Sequence, residues 1–255
     1  MIPKPTERFT GRVESYRRFR PGYPSAIVDL FRPECSLGSG SRIADIAAGT
    51  GRLTEIFLTA GFAVTAVEPN AEMRTACSAL QPQYPKLTLI DGTAEATRLP
   101  ERSIDLITVA QAMHWFDLDK TRTEFSRILR PSGWCAVIYN NRRMSGDAFH
   151  DGYEQLLIDY GIDYREVQHR RFPEERTAEF FAPSPMRRAN FSNPQALDLE
   201  ALEGRILSSS YMPQPGHPRF DAMRVATERL YAENERNGKV TLQQDCVVCY
   251  GRLAF

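Results

Sequence analysis

The sequence has no excess of charge of either sign, because 32 lysine and arginine residues balance 32 aspartate and glutamate residues among its 255. A chain without net charge supplies no general field that collects polyanions, so neither a nucleic acid nor an anionic membrane is an expected partner. No apolar run approaches the length of a membrane span, and the first residues lack the apolar core of a signal peptide. These absences predict a cytoplasmic protein.

Cysteine is also scarce. The five cysteines are Cys35, Cys77, Cys135, Cys246 and Cys249. An odd, scattered set is typical of a reducing compartment rather than of a disulfide framework. Cys246 and Cys249 have the spacing of half a metal site, but residues three apart on a strand face opposite sides. Because no second pair of Cys or His residues partners them, we expect no metal site.

Short apolar runs alternate with amphipathic stretches between residues 41 and 140. The apolar runs predict five strands, at residues 41–46, 63–68, 87–90, 104–110 and 135–139. The stretches between them predict helices at residues 52–58, 71–80 and 119–129. Strands that alternate with helices in this way predict an α/β fold with a mostly parallel sheet and helices on both faces.

The flanking segments complete a prediction of one domain over residues 1–255, a length that accommodates a core and a cap. Residues 1–40 are expected to form an N-terminal arm and a helix at 25–31, with the arm held extended over 17–24 by its two prolines. Residues 41–140 form the predicted cofactor-binding core. Residues 141–255 supply cap helices, within 146–183 and 198–236, and two further strands, within 186–191 and 239–253. The expected sheet therefore has seven strands.

A turn containing two glycines, from Asp45 to Gly51, joins the first predicted strand to its helix. Glycine permits positive φ and a close ligand approach, and open α/β sheets bind ligands at the carboxyl ends of their strands. Glu68 ends the second predicted strand, where its carboxylate can accept hydrogen bonds from both hydroxyls of a ribose. Thr54 stands where a dinucleotide fingerprint has its third glycine, which disfavours an NAD-dependent reductase. S-adenosylmethionine, which has a ribose and no phosphate, fits best; a purely structural glycine turn is the alternative.

Several ordered segments carry a family resemblance. They are Asp45-x-Ala47-x-Gly49-x-Gly51, with Ala47 where glycine is commoner; Glu68, Pro69, Asn70 and Met73; Gly92-Thr93-Ala94-Glu95, with Thr93 where aspartate is common; residues 105–116; and residues 129–134. In this order they resemble the motifs of the class I S-adenosylmethionine-dependent methyltransferases. The resemblance implies a Rossmann-like sheet and S-adenosylmethionine as cofactor, with S-adenosylhomocysteine as product. The implied cofactor-binding residues are Tyr16, Asp45, Ala47, Gly49, Gly51, Glu68, Pro69, Met73, Thr93, Ala94, Gln111, Ala112 and His114.

Two segments outside the core carry a narrower resemblance. Phe9, Tyr16 and residues 20–24, together with residues 209–213, are similar to a branch that includes trans-aconitate methyltransferases. In that branch, these segments cover the cofactor and help to form the acceptor pocket. A small-molecule acceptor is therefore implied, and we expect a monomer or a weak homodimer.

We infer candidate residues for the acceptor side of the site from their positions in the sequence. His114 follows the fourth strand, and its imidazole titrates near neutral pH, so it is a candidate catalytic base; a packed loop residue or a cofactor contact is the alternative. Trp115, Arg142 and Tyr211 are the candidate substrate-binding residues.

Basic pairs at residues 142–143, 170–171 and 187–188 are compatible with an anionic substrate, which an arginine grips bidentately, but solvated surface charge is the commoner explanation of such pairs. Arg142 is the best candidate among them because it directly follows strand five. A carboxylate oxygen is the expected methyl acceptor. A nitrogen or a phenolic oxygen, or a non-catalytic regulatory protein that binds S-adenosylmethionine, are the alternatives. The isolated His150, His169 and His217 are expected on the surface.

Overall fold

A sheet of seven strands lies at the centre of the computed structural model, which describes residues 13–169 and 174–254. The strands of the chain are β1 (Arg42–Ile46), β2 (Ala63–Val67), β3 (Leu87–Ile90), β4 (Ile104–Ala110), β5 (Leu129–Arg142), β6 (Arg187–Ser192), β7 (Gln195–Leu197), β8 (Val240–Leu242) and β9 (Gln244–Gly251). The order across the large sheet is β3-β2-β1-β4-β5-β9-β6. The first five strands pair in parallel, and β9 runs antiparallel to both of its neighbours. Strands β7 and β8 form a separate antiparallel pair.

Ten helices surround the sheet in the described part of the chain. They are α1 (Val13–Phe19), α2 (Ala26–Glu34), α3 (Arg52–Thr59), α4 (Ala71–Ser78), α5 (Leu118–Ile128), α6 (Ala148–Tyr160), α7 (Tyr164–His169), α8 (Glu174–Phe181), α9 (Leu199–Leu207) and α10 (Phe220–Asn234). A single 3-10 turn, Met113–Trp115, follows β4. None of the helices described here is long and apolar enough to cross a membrane.

Apolar side chains bury both faces of the sheet, as a parallel sheet requires. On one face, α2 and α3 place Phe31 and Phe57 against Ile43 of β1. On the other face, Phe125 of α5 and Phe181 of α8 join a second cluster. A third cluster, separate from the sheet, joins α6, α9 and α10 into a helical cap. The predicted fold class, a seven-stranded mostly parallel sheet with helices on both faces and a cap, is confirmed.

Three local features differ from the predictions. The arm is helical over α1, rather than extended from residue 17, because Pro21 and Pro24 restrict only their own and the preceding residues. Strand β5 begins at Leu129, six residues earlier than predicted, and a register shift in its pairing with β4 accommodates Pro131 and Gly133. The C-terminal segment forms four strands, of which β7 and β8 lie outside the large sheet.

The arm is fastened to the cap at the C-terminal end of α1. Gly204 of α9 lies under the ring of Phe19, so closely that a Cβ at residue 204 would stand 2.2 Å from a ring carbon. Arg20 donates from Nη2 to the Ser208 carbonyl at 3.0 Å and to the Ser209 hydroxyl at 3.2 Å. These contacts bring residues 188 positions apart into one wall.

Candidate functional site

Two adjoining cavities lie at the carboxyl ends of β1 and β4. The smaller has a volume of ≈ 370 Å³ and extends along Glu68 and Met73, and the larger, of ≈ 550 Å³, extends towards the cap. The residues that border both are Tyr16, Ala47, Gly49, Ala110, Gln111 and Trp115. The two spaces therefore share a wall that is formed by the glycine turn and the end of β4.

Of the thirteen residues expected at the cofactor, twelve border at least one cavity. Those on the smaller cavity are Tyr16, Ala47, Gly49, Glu68, Pro69, Met73, Thr93, Ala94, Gln111 and Ala112, and those added by the larger one are Asp45 and His114. Gly51 borders neither. Its missing side chain faces α4 instead, where a Cβ would stand 2.7 Å from the Cys77 sulfur. Gly51 therefore allows the turn to pack against α4.

The turn after β1 takes a left-handed backbone at three residues, with φ of 56° at Ala47, 59° at Gly49 and 85° at Gly51. For a residue with a side chain, this conformation costs about 1–2 kcal/mol, so Ala47 is strained. In the sequence, Ala47 is notable only because glycine is commoner at this position. A glycine at this position would adopt the positive φ without this cost, which is a reason for glycine to be commoner here.

Glu68 ties the glycine turn to the loop after β2. Its Oε2 accepts a hydrogen bond from the Gly49 amide at 2.8 Å, and its Oε1 accepts one from the Asn70 amide at 2.9 Å. The residue is 7% exposed, and burial raises the pKa of its carboxyl, although the two amides and Arg74 oppose that rise. A carboxylate has about four acceptor positions, so each oxygen keeps one for a ligand.

Asp45 lies behind the turn and is 1% exposed. Its two oxygens accept hydrogen bonds from the hydroxyls of Thr54, at 2.6 Å, and Thr108, at 2.9 Å. Burial raises the pKa of Asp45 from 3.8 to about 6, although both hydroxyls act in the opposite direction. Thr54 stands where a dinucleotide fingerprint has glycine, and its hydroxyl fixes the position of Asp45 at the end of β1 by a hydrogen bond.

The far end of the smaller cavity is formed by the turn after β3. The Thr93 amide donates to the Ala96 carbonyl at 3.2 Å, which closes the turn and leaves the buried Ala94 facing the cavity. Two further residues there, Glu95 and Phe116, were not predicted as binding residues although both lie in the quoted motifs. Glu95 also accepts a hydrogen bond from the Asp117 amide at 3.0 Å.

His114 and Trp115 lie on the 3-10 turn after β4, with ring centroids 4.5 Å apart. Gln111, just before that turn, has a φ of 58°, and its side chain donates to the Asn140 carbonyl at 3.3 Å. Tyr139 places a buried hydroxyl on the larger cavity, near the backbone amides of Met113 and His114. Burial raises its pKa, and these amides lower it. The imidazole of His114 therefore lies in the wall of the larger cavity.

Arg142 borders the larger cavity, but its charge is already neutralised. Its Nη2 forms an ion pair with Glu154 and donates to the Tyr164 hydroxyl at 3.1 Å, and its guanidinium lies 5.0 Å from the Tyr153 ring. Burial acts to lower the pKa of Arg142, but Tyr153 and Glu154 outweigh it and hold the pKa above its usual range. The hypothesis that Arg142 grips an anionic substrate is not supported by this pairing.

The basic pair at residues 187–188 borders neither cavity. Arg187 pairs with Glu34, and Arg188 lies 3.4 Å from Glu174, both on the edge strand β6. The pair at residues 170–171, like Phe9, lies outside the described residues. Tyr211, a candidate substrate contact, borders the larger cavity and packs 4.9 Å from the Tyr164 ring.

Three arginines on the larger cavity were missed by the sequence reasoning. Arg20, Arg52 and Arg205 each have a buried side-chain nitrogen without a hydrogen-bond partner among the described residues: Nε of Arg20, Nε of Arg52 and Nη1 of Arg205. None of the three has a carboxylate within 4.0 Å in that part of the chain. Arg20 lies in the segment 20–24 that carries the narrower resemblance, which is a signal that could have identified it, whereas no sequence pattern distinguishes Arg205 from the other basic residues.

His150 is buried, contrary to the expectation of a surface residue. It is 1% exposed, its Nδ1 lies 2.7 Å from both oxygens of Asp147, and its Nε2 accepts from the Gln243 amide at 3.0 Å. The accepting Nε2 requires the proton on Nδ1, so the ring is a structural link between α6 and the loop before β9. The five cysteines are buried free thiols, and the described residues contain no cluster of metal-ligating side chains.

Comparison with known proteins shows a similarity to methyltransferases. Residues 44–137 match the model of a family described as a methyltransferase domain. An uncharacterized methyltransferase of Mycobacterium tuberculosis is 38% identical over 134 residues, which cover 52% of this chain and 52% of that relative. The chain therefore spans about half the length of that relative.

Solved structures share the fold over most of the chain. A candidate Type II methyltransferase from Anaeromyxobacter dehalogenans superimposes with a TM-score of 0.61 at 23% identity, over 91% of this chain and 97% of that one. Phosphoethanolamine N-methyltransferase 2 of Haemonchus contortus, solved with S-adenosyl-L-methionine, gives a TM-score of 0.60 at 12% identity, over 100% of this chain and 61% of that one. These similarities show the class I methyltransferase fold.

Proposed function

We propose that this protein, whose residues 44–137 match the family model of a methyltransferase domain, transfers a methyl group from S-adenosylmethionine to a small molecule. The observation that carries the proposal is Glu68. Its carboxylate borders the smaller cavity, and each oxygen uses one acceptor position on a backbone amide. The remaining acceptor positions match the two vicinal hydroxyls of a ribose.

The cofactor would be held by the residues that the two cavities share, with Glu68 on the ribose and the turn at Thr93 and Ala94 on the adenine. Arg52 follows the glycine turn directly, so its guanidinium would pair with the methionine carboxylate. When bound, S-adenosylmethionine supplies a methyl group on a sulfonium, which passes to an acceptor lone pair as the C–S bonding electrons return to sulfur, and S-adenosylhomocysteine leaves.

The walls of the larger cavity would hold the acceptor in line with that methyl group and exclude water. Fixing two reactants in this way supplies about 7–11 kcal/mol of a barrier. We favour a carboxylate oxygen as the acceptor, because two arginines on this cavity besides Arg52, namely Arg20 and Arg205, have no carboxylate partner among the described residues. A carboxylate needs no proton removed, so His114 would contact and orient the acceptor rather than act as a base.

The resemblance to the branch that includes trans-aconitate methyltransferases supports the same assignment. Both segments that carry it, at residues 20–24 and 209–213, contribute side chains to the larger cavity. The alternative acceptor is an amine or a phenol, favoured by the position of His114 on that cavity, since such a group must lose a proton. We further propose that residues 1–255 work as one unit, with a small molecule as partner.

Calorimetric titration with S-adenosylmethionine, S-adenosylhomocysteine and NADH tests the function. We expect the two sulfur nucleosides to bind at micromolar concentrations and NADH to show no binding. Turnover of labelled S-adenosylmethionine, screened over small carboxylic acids, amines and phenols, then identifies the acceptor atom. Binding without turnover of any acceptor would favour the regulatory alternative.

Variants of Glu68 test the ribose assignment. Glu68→Ala is expected to weaken S-adenosylhomocysteine binding by about 1.5–3 kcal/mol, the scale of lost charged hydrogen bonds. Glu68→Gln keeps the side-chain volume and one accepting oxygen, so it is the variant to use if Glu68→Ala does not fold. Glu101→Ala, at an exposed residue remote from the cavities, is the control. Unchanged affinity in a folded Glu68 variant would refute the assignment.

A further inference from the structure

The larger cavity has an imbalance of charge. Two carboxylates border it, but Asp45 is hydrogen-bonded to two threonine hydroxyls and Glu174 faces Arg188. The acidic side chains of this wall are thus engaged elsewhere. The guanidiniums of Arg20 and Arg205 remain without a counter-charge among the described residues.

Arg205 is the more unusual of the two. It is 7% exposed, its Nε donates to the Gln195 side chain at 3.3 Å, and its Nη1 has no partner in the described structure. Burial first, and the positive charge of Arg20 next, lower the pKa of Arg205 to about 10. Charged side chains are almost never fully buried unless they are paired, so this guanidinium is built to receive an anion.

Arg20 supplies the second half of the same wall. Its Nη2 is fixed by Ser208 and Ser209 at the end of α9, while its buried Nε has no partner. The guanidinium is therefore oriented by the cap and retains an unused donor. A planar guanidinium binds carboxylate and phosphate oxygens with fixed geometry, and two of them facing one space select a doubly charged or branched anion.

The cofactor accounts for only one of the three unpaired arginines. S-adenosylmethionine carries a single carboxylate, which the proposed function assigns to Arg52 beside the glycine turn. Arg142 is excluded as the anion receptor because Glu154 neutralises it. Arg20 and Arg205 therefore remain for the other ligand.

We propose that Arg20 and Arg205 together bind an anionic group of the methyl acceptor that is not itself methylated, so the acceptor is a small molecule with at least two anionic groups. The inference rests on the proposed function. Because Arg20 belongs to the arm and Arg205 to the cap, the bound anion bridges the two parts. The anionic group is a carboxylate or a phosphate, whose oxyanion chemistry both arginines recognise.

Titration of the full chain with small anions, with and without saturating S-adenosylhomocysteine, tests the proposal. Glutarate and citrate probe carboxylates, glycerol 3-phosphate probes a phosphate monoester, and butyrate is the singly charged reference. We expect at least one multiply charged probe to bind ten or more times more tightly than butyrate. Its identity distinguishes the carboxylate from the phosphate source.

Arg205→Met and Arg20→Met are each expected to weaken that binding at least tenfold and to change S-adenosylhomocysteine affinity less than twofold. Arg205→Lys, which keeps the charge and loses the planar fork, is expected to restore part of the binding. Arg229→Met, on the exposed face of α10, is the matched control and should change nothing.

Equal binding of all probes to the parent protein, or undiminished binding in both methionine variants, would overturn the proposal. Because the anions are also titrated in the absence of S-adenosylhomocysteine, their binding is measured independently of the cofactor. Failure of S-adenosylhomocysteine to bind the parent protein would instead count against the proposed function.

Discussion

Replacing Asp45 by asparagine is expected to make the stability of the protein less dependent on pH. The carboxyl has a pKa of about 6 in the folded protein and 3.8 in the unfolded chain, because burial disfavours its charged form. Asparagine has nearly the same shape, and a threonine hydroxyl can either donate or accept, so both Thr54 and Thr108 keep a partner. The variant therefore removes the charge and preserves the packing.

The sign of this pH dependence follows from which state, folded or unfolded, keeps the proton of Asp45 to higher pH. At pH values well below 3.8 the carboxyl is protonated in both states and does not affect stability. As the pH rises from 4 to 6, the unfolded chain loses this proton first, so the folded protein loses stability relative to the variant. Above pH 6 both states are ionised, and a pKa difference of about 2 corresponds to a constant loss of ~3 kcal/mol.

Urea unfolding of both proteins between pH 4 and pH 7.5 measures the effect. We expect the free energy of unfolding of Asp45→Asn, minus that of the parent, to increase by ~2 kcal/mol over this range, since a small part of the loss is already present at pH 4. Other titrating groups cancel in the difference. A difference that stays constant with pH would show that the buried carboxyl is not destabilised by its surroundings.

Three other substitutions test the packing and the site. Gly51→Ala should lower the free energy of unfolding by about 2–3 kcal/mol, because its Cβ would collide with α4. Gly49→Ala should lower it by only about 1 kcal/mol, because a Cβ at residue 49 enters open space. Equal losses in urea titrations would contradict the contact between Gly51 and α4. Arg142→Leu should destabilise by about 3–5 kcal/mol, whereas the double variant with Glu154→Leu should recover most of this, as thermal melting would reveal. His114→Ala should leave S-adenosylhomocysteine affinity unchanged and slow carboxylate methylation less than tenfold; a loss of about 10²–10⁴ in turnover would identify a base.

The sequence predicts the sheet and the cofactor side of the site because both are encoded locally. Strand and helix periodicities report burial directly, and the turn after Asp45 and the acid at residue 68 lie within a few positions of the elements that place them. Even there, the left-handed backbone of Ala47 was not anticipated, since an alanine carries no sign of its φ angle.

The acceptor side is encoded by contacts between distant segments, which periodicity does not report. Arg142 follows a strand and was a reasonable candidate, but its pairing with Glu154 depends on how α6 packs. Arg205 looks like an ordinary surface charge in the sequence, and the resemblance carried by residues 20–24 does not reveal the contacts of Arg20. Both become unusual only through the docking of α1 on α9. The burial of His150 likewise depends on the backbone of Gln243.

The contact between Gly204 and Phe19 has a consequence for sequence divergence. A side chain at residue 204 can be accommodated only if the ring at residue 19 becomes smaller, so the two positions should change together in related proteins. If the proposed function holds, a new acceptor can be selected by paired changes in the arm and α9, while the turn that we propose binds the methyl donor is left intact. The two halves of the site are in this sense free to evolve at different rates.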